Sequence, residues 1–326
     1  MSRRERAMVP SAEVRSAPDF ESYYGRPILK QPTWKSPEIP TYFFSGGLAG
    51  ASALLAEFAA ATGRPGLARA ARFGASAGAL AGVGLLIKDL GRPSRFLTMM
   101  RVVKVTSPLS VGTWILSPFS GLATAAVASE VTGVLPVLGR AAGIGAAAFG
   151  GPMTTYTAAL IADTAIPAWH DAHRELPVVF AGSSAAAAGG LGLLGAPVAE
   201  NRPAARLGAL GAAVELAAST VMERRLGGAG EKYKTGKAGR LMRAARLLSA
   251  AGIAGALTCR RSRTLAAVSG LALLAGSAAT RFGIFEAGRA SAADPRDVIV
   301  PQRARRAARD DGARDNGARD ATDAPG

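Results

Sequence analysis

The sequence predicts an all-α integral membrane protein with about eight transmembrane helices, and three observations carry that expectation. Of its 326 residues, 49% are hydrophobic but only 6% aromatic, with 40 glycines, so the apolar character rests on Ala, Gly, Leu and Val. That composition suits helices packed closely in lipid better than a soluble core. Mean hydropathy is positive at +0.19. Apolar runs of the roughly 20 residues needed to cross about 30 Å of hydrocarbon recur along the chain.

In chain order, residues 1–40 form an N-terminal segment with prolines at 10, 18, 27, 32, 37 and 40 and aromatics Tyr23, Tyr24 and Trp34. It reads as extended chain lying on the membrane face or on a partner. SRRER is not followed by an apolar run, which excludes a twin-arginine or cleavable signal reading. Candidate spans then follow near 41–61, 70–88, 111–130, 141–166, 177–195, 205–222, 241–258 and 264–282. The stretches between them are turn-like or charged: GRPG at 63–66, VTGVLP at 131–136, GAP at 195–197 and CRRSR at 259–263. Residues 41–166 thus make one set of four spans, 167–176 a connecting loop, 177–282 a second set and 283–326 a C-terminal segment. The charge-rich tail from about 302 lacks apolar periodicity and is expected to be disordered.

A net charge of +16 raises nucleic acid as a partner. The distribution argues otherwise. With eight spans, the great majority of the 39 Lys and Arg residues fall on the side that holds both termini and the loops after the second, fourth and sixth spans. This is the positive-inside pattern and predicts cytoplasmic termini. Basic residues scattered among membrane-flanking loops do not make a nucleic-acid reader.

Redox ligands are scarce. One cysteine, Cys259, cannot build an iron-sulfur cluster or a disulfide. The two histidines, His170 and His173, share one loop, which rules out a haem held between two helices and reads as a solvated or partner-facing pair. Any electrons must come from another chain.

Ionisable residues inside spans are costly and are functional candidates by default. They are Glu57, Glu130, Asp163, Glu215 and Arg281. Glu130 sits at a span boundary. In MTTYTAALIADTAIPAW, Tyr156 and Asp163 are seven apart, on one helix face and about 10 Å apart along its axis. A phenol within the membrane and a carboxylate near the interface can hydrogen-bond a quinone carbonyl and pass a proton toward water. Glu57 is a second relay candidate, and Trp169 is expected at the interface. In IKDLGRPSRF, Gly91 and Pro93 stop the second span, and Asp89 is placed to compensate Arg92 or Arg95.

DLGRPSRF at 89–96, RVVKVTSPLSVGTW at 101–114, YTAALIADTAIPAW at 156–169 and RFGIFEAGRASAADPRDVIVPQR at 281–303 together resemble the NrfD/PsrC family of polysulfide-reductase-type membrane subunits. The resemblance spans roughly residues 20–303. It implies two four-helix transmembrane bundles without a redox centre of their own, binding menaquinone or ubiquinone. It also implies docking, on the cytoplasmic face, with a four-cluster ferredoxin-like iron-sulfur subunit wired to a molybdopterin catalytic subunit. By that resemblance Tyr156 matches a quinone-contacting tyrosine, with Asp89, Arg92 and Arg95 near the same pocket. Where some members carry His or Asn in the first span, this chain offers Ser45, Ser52 and Gly46-Gly47, and Ala162 replaces a frequent serine.

The leading expectation is a quinone-binding anchor in the cell membrane, not catalytic alone. The alternatives are a secondary transporter with Glu57, Asp163 and Glu215 as coupling carboxylates, or a redox-inactive tether. Transporters often show repeated halves with helices broken in mid-membrane. Here the prolines read as lying at span ends, and no repeat joins the two halves.

Overall fold

A computed structural model describes residues 29, 31–92, 94–101, 103–259 and 262–299. Most of the N-terminal segment, including Tyr23 and Tyr24, and the tail from 302 lie outside the described residues. Eight long helices match the expected spans in order: α1 (Glu38–Ala61), α2 (Pro65–Leu90), α4 (Pro108–Thr132), α5 (Pro136–Ala162), α7 (Leu176–Gly195), α8 (Arg202–Arg225), α9 (Gly236–Thr258) and α10 (Arg263–Ala293). Two short helices, α3 (Ser94–Met99) and α6 (Pro167–His170), and a 3-10 turn at Gly227–Tyr233 fill the connections. No strand occurs among the described residues.

Six of the helices, α1, α2, α4, α7, α8 and α10, are long and apolar enough to cross a membrane. The other two are long, but α5 is diluted by Gly, Thr and Pro, and α9 carries Lys237, Arg240, Arg243 and Arg246 in its first half.

Local chemistry explains the boundaries. Pro opens α2, α4 and α5, where a missing N–H costs nothing because the first turn has no carbonyl to receive it. Gly91 and Gly133 end α2 and α4 at φ 72° and 71°, the left-handed conformation that glycine adopts without strain. Ser262 caps α10 by accepting the Leu265 N–H at 3.1 Å. One expectation fails here. Pro118 and Pro152 lie inside α4 and α5, so the prolines are not confined to span ends.

Helix α1 packs on α2 and α5, α4 on α5, and α2 on α4. Likewise α7 packs on α8 and α10, α9 on α10, and α8 on α9. Each set closes a ring of four, compatible with two bundles, and α1 and α7 join them. Small residues permit this proximity, as expected where lipid offers no hydrophobic drive to associate. A Cβ on Gly50 would stand 2.6 Å from the Gly150 carbonyl oxygen, and one on Gly189 would stand 2.4 Å from Gly208 Cα. Gly50→Ala is therefore expected to cost about 1–3 kcal/mol, because the obstacle is rigid backbone. A lowered unfolding midpoint in detergent is the readout, and an unchanged midpoint would contradict this packing.

Trp169 is fully buried rather than placed at a lipid interface. Its Nε1 donates to the Ile284 carbonyl at 2.8 Å, and its ring lies against Trp34 and Phe285 with centroids 5.7 and 6.0 Å away. The indole fills the space left by Gly288, whose added Cβ would fall 1.8 Å from Trp169 Cε2.

Candidate functional site

At the end of the molecule where α1 begins and α2 ends, four helices enclose a cavity of about 100 Å³. The start of α1 contributes Tyr42 and Phe43, the end of α2 Leu86 and Asp89, the start of α4 Gly112 and Thr113, and the end of α5 Tyr156 and Leu160. Trp34, from the lead-in to α1, covers one side. The walls are apolar apart from a few convergent polar groups, the usual character of a small-molecule site.

Those groups are the Tyr42 and Tyr156 hydroxyls, which hydrogen-bond each other between buried side chains, and the Asp89 carboxylate. Two hydroxyls in one mutual bond commit only one of their two protons, leaving a donor for a third group. Tyr156 is held in place by proximity. A Cβ on Gly112 would lie 2.8 and 2.9 Å from its ring carbons. Gly112→Ala should accordingly displace the phenol by a few tenths of an ångström. It should lower any activity that depends on Tyr156 while the helices still assemble, and full activity would show that the ring position is immaterial.

Asp89 is half-buried, and its Oδ1 accepts the Lys35 N–H at 3.2 Å, tying the entry of α1 across the cavity to the end of α2. The expected compensation of Arg92 or Arg95 is not what the structure shows. Both arginines are exposed beyond the end of α2, Arg92 on the bend and Arg95 in α3, and Arg95 Nη1 donates to the Leu90 carbonyl at 3.1 Å. The neighbouring Lys88 pairs with Glu38 at 2.9 Å. The cause is the turn itself: Gly91 in the left-handed conformation redirects the chain, so positions 92 and 95 leave the face that carries Asp89.

Asp163 does not share the cavity. Helix α5 ends at Ala162, and Asp163 is its exposed C-cap, beyond the helical repeat that would have kept it on the face of Tyr156. Glu57 lies toward the other end of α1, where Arg72 Nη2 approaches it at 3.1 Å and Arg72 Nη1 approaches Glu130 at 3.2 Å. Arg69 adds a second contact to Glu130 at 3.1 Å. His170 and His173 are exposed, and no group of metal-ligating side chains occurs among the described residues.

Two residues at the cavity escaped the sequence reading. Tyr42 gives no signal of its own, since an aromatic in the first turn of a span resembles an interfacial anchor. Trp34 lay in a segment expected to be extended.

The loops near this end are tied together electrostatically. Arg225 grips Glu175 through both nitrogens of one edge, and that hydrogen-bonded pairing holds the Glu175 carboxyl below the usual carboxylate range. Tyr233 donates to the Ala168 carbonyl at 2.7 Å, and burial pushes its phenol well up.

The family model for NrfD, polysulphide reductase, matches residues 29–202. The chain belongs to the NrfD family. No curated protein matches it. The NrfD match is shorter than the stretch suggested by the motifs, yet it contains every residue that lines the cavity. DLGRPSRF begins on the last two residues of α2 and ends in α3, and SPLSVGTW lies at the start of α4. NrfD members are membrane subunits of oxidoreductase complexes, and the apolar helices here agree with an integral membrane protein.

A second polar group lies among α7, α8 and α10, and of its members Glu215, Thr280 and Arg281 fall beyond the NrfD match. Arg281 is fully buried, with Nη2 donating to the Phe180 carbonyl at 2.7 Å and to Ser184 Oγ at 2.9 Å. Its guanidinium lies 3.7 Å from the Phe180 ring centroid. Glu215, 1% exposed, accepts a hydrogen bond from Thr280 Oγ1. Glu215 Oε2 and Arg281 Nε and Nη1 have no hydrogen-bond partner among the described residues.

Proposed function

We propose that this chain is the quinone-reactive membrane subunit of an oxidoreductase complex, with the site in the cavity between α1, α2, α4 and α5. The observation that carries the reading is the pair of tyrosine hydroxyls facing each other in an apolar cavity inside an NrfD-matched region. A menaquinone or ubiquinone supplies a two-electron, two-proton couple. The chain's own part is to bind and orient. Tyr156 presents a hydroxyl to a quinone oxygen, Tyr42 holds the Tyr156 oxygen in register, and Phe43 and Leu86 keep water away from the ring.

The cavity is smaller than the roughly 150 Å³ that admits benzene in an engineered protein core. Entry of a ring therefore requires the two hydroxyls to part, and a ring oxygen takes the place of one of them. Asp89, at the mouth, is the carboxylate best placed to exchange protons with the site; Asp163 serves at most the outer end of such a route. Arg92 and Arg95 are exposed cations suited to docking a partner.

The Lys and Arg distribution supports eight spans with both termini in the cytoplasm, so the cavity and the Arg92–Arg95 turn would face that side. A four-cluster ferredoxin-like subunit docked there would deliver or collect electrons, and a molybdopterin subunit would carry the substrate chemistry. The transporter reading gains from Pro118 and Pro152 inside helices. It loses more, because Glu57 is paired with Arg72 and Asp163 is exposed, which leaves Glu215 as the one unpaired buried carboxylate of the three candidates.

The test is isolation of the assembled complex in mild detergent, with analysis for iron and molybdenum and an assay of electron exchange with a soluble quinol. Both metals together with quinol-dependent turnover are expected. A complex lacking iron and inert to quinol would overturn the proposal, and a metal-containing complex inert to quinol would leave only the tether.

A further inference from the structure

At the opposite end of the molecule, where α1 stops and α8 starts, an apolar groove of about 650 Å³ runs between these helices. Leu54, Phe58 and Leu210 line it and are 46%, 55% and 66% exposed, so its floor is open to lipid. Arg64, Arg202 and Arg206 also line it. Arg202 and Arg206 are shared with a second cavity of about 360 Å³ on the other side of α8, which reaches Asn201.

Asn201 is 3% exposed, and its Nδ2 has no hydrogen-bond partner among the described residues. Arg202 and Arg206 are exposed and have no ion-pair partner among the described residues. Several other charges at this end are already engaged. Arg72 is neutralised by Glu57 and Glu130, Arg263 binds the Leu193 and Ala196 carbonyls at the end of α7, and Glu200 accepts the Leu67 N–H at 3.0 Å. Two uncompensated guanidiniums that line both the acyl-sized apolar groove and the cavity holding a buried amide donor match an anion attached to hydrocarbon. Basic pockets between membrane helices bind acidic headgroups on this principle.

We propose that Asn201, Arg202 and Arg206 hold the phosphate of an acidic glycerophospholipid whose acyl chains lie in the groove between α1 and α8, with Arg64 at the headgroup's edge. A neutral lipid places a trimethylammonium beside the same arginines and gains less. Free phosphate meets the cations but leaves the groove unfilled.

Native mass spectrometry of the full chain in mild detergent tests this, with dioleoyl phosphatidylglycerol, dioleoyl phosphatidylcholine, dihexanoyl phosphatidylglycerol and inorganic phosphate as probes. Dioleoyl phosphatidylglycerol is expected to bind about thirtyfold more tightly than the phosphatidylcholine, on the scale of two juxtamembrane basic residues. The short-chain lipid and phosphate should bind far more weakly. In the double variant Arg202→Gln, Arg206→Gln the preference should vanish while lipid of both kinds still adheres nonspecifically. Equal binding of the two dioleoyl lipids to the unaltered chain would overturn the proposal without recourse to any variant. Phosphate competing as well as the long-chain lipid would overturn it in favour of a free-anion site, and a preference that survives in the folded double variant would overturn the assignment of these arginines.

Discussion

Tyr156→Phe should lower quinone-dependent turnover of the assembled complex by about a hundredfold, the lower end of what a positioned proton donor contributes. The reasoning starts from the cavity. Its polar groups are few, and the Tyr156 hydroxyl is bonded only to Tyr42 among the described residues. Removing that oxygen leaves the ring, its packing against Gly112 and the apolar walls in place, so assembly should persist. Tyr42→Phe keeps the Tyr156 hydroxyl and frees its proton for a ligand, so a smaller loss is expected, expressed more in KM than in kcat. Quinol oxidation or quinone reduction by the purified complex, with subunit content checked in parallel, gives the readout. Wild-type turnover in both variants would remove the tyrosine pair from the site.

Glu215→Leu should destabilise the protein by about 3–5 kcal/mol, because it leaves a buried charge without compensation. Arg281 keeps its bonds to Phe180 and Ser184 but loses the opposite charge of its surroundings. Arg281→Leu should be milder, since a carboxyl left alone can take up a proton, whereas a guanidinium does not give one up. The double replacement by Leu should recover much of the loss. Unfolding midpoints of the four proteins in detergent form a complete cycle. A Glu215→Leu protein as stable as the parent, or a double variant worse than either single one, would refute this account.

Much of the architecture was legible because each helix leaves a local mark. Apolar runs of membrane-crossing length lie where α1, α2, α4, α7, α8 and α10 form, and Gly91, Gly133 and the helix-opening prolines set the ends. Part of what failed depended on residues far apart in the chain. Tyr42 and Tyr156 meet across 114 positions, and no periodicity within α1 reveals that α5 will place a second phenol there. Trp169 was read as interfacial because its burial depends on Gly288, contributed by α10. Asp163 was assigned to the face of Tyr156 by helical spacing. That spacing lapsed because α5 ends one residue before it. Arg281 and Glu215, by contrast, were visible from their chemistry alone, since charge in an apolar span is rare whatever surrounds it.

The Gly46-Gly47 step of α1 has a mechanical meaning. An added Cβ at Gly46 would face Met153 and the Tyr156 hydroxyl, whereas one at Gly47 would strike Ser184 and come within 3.0 Å of Arg281. Adjacent positions on a single turn thus abut the two polar interiors of the molecule from opposite sides. A side chain at Gly47 would have to be accommodated by the Ser184–Arg281 interior, so this bare turn of α1 is the thin partition between the phenols and the guanidinium.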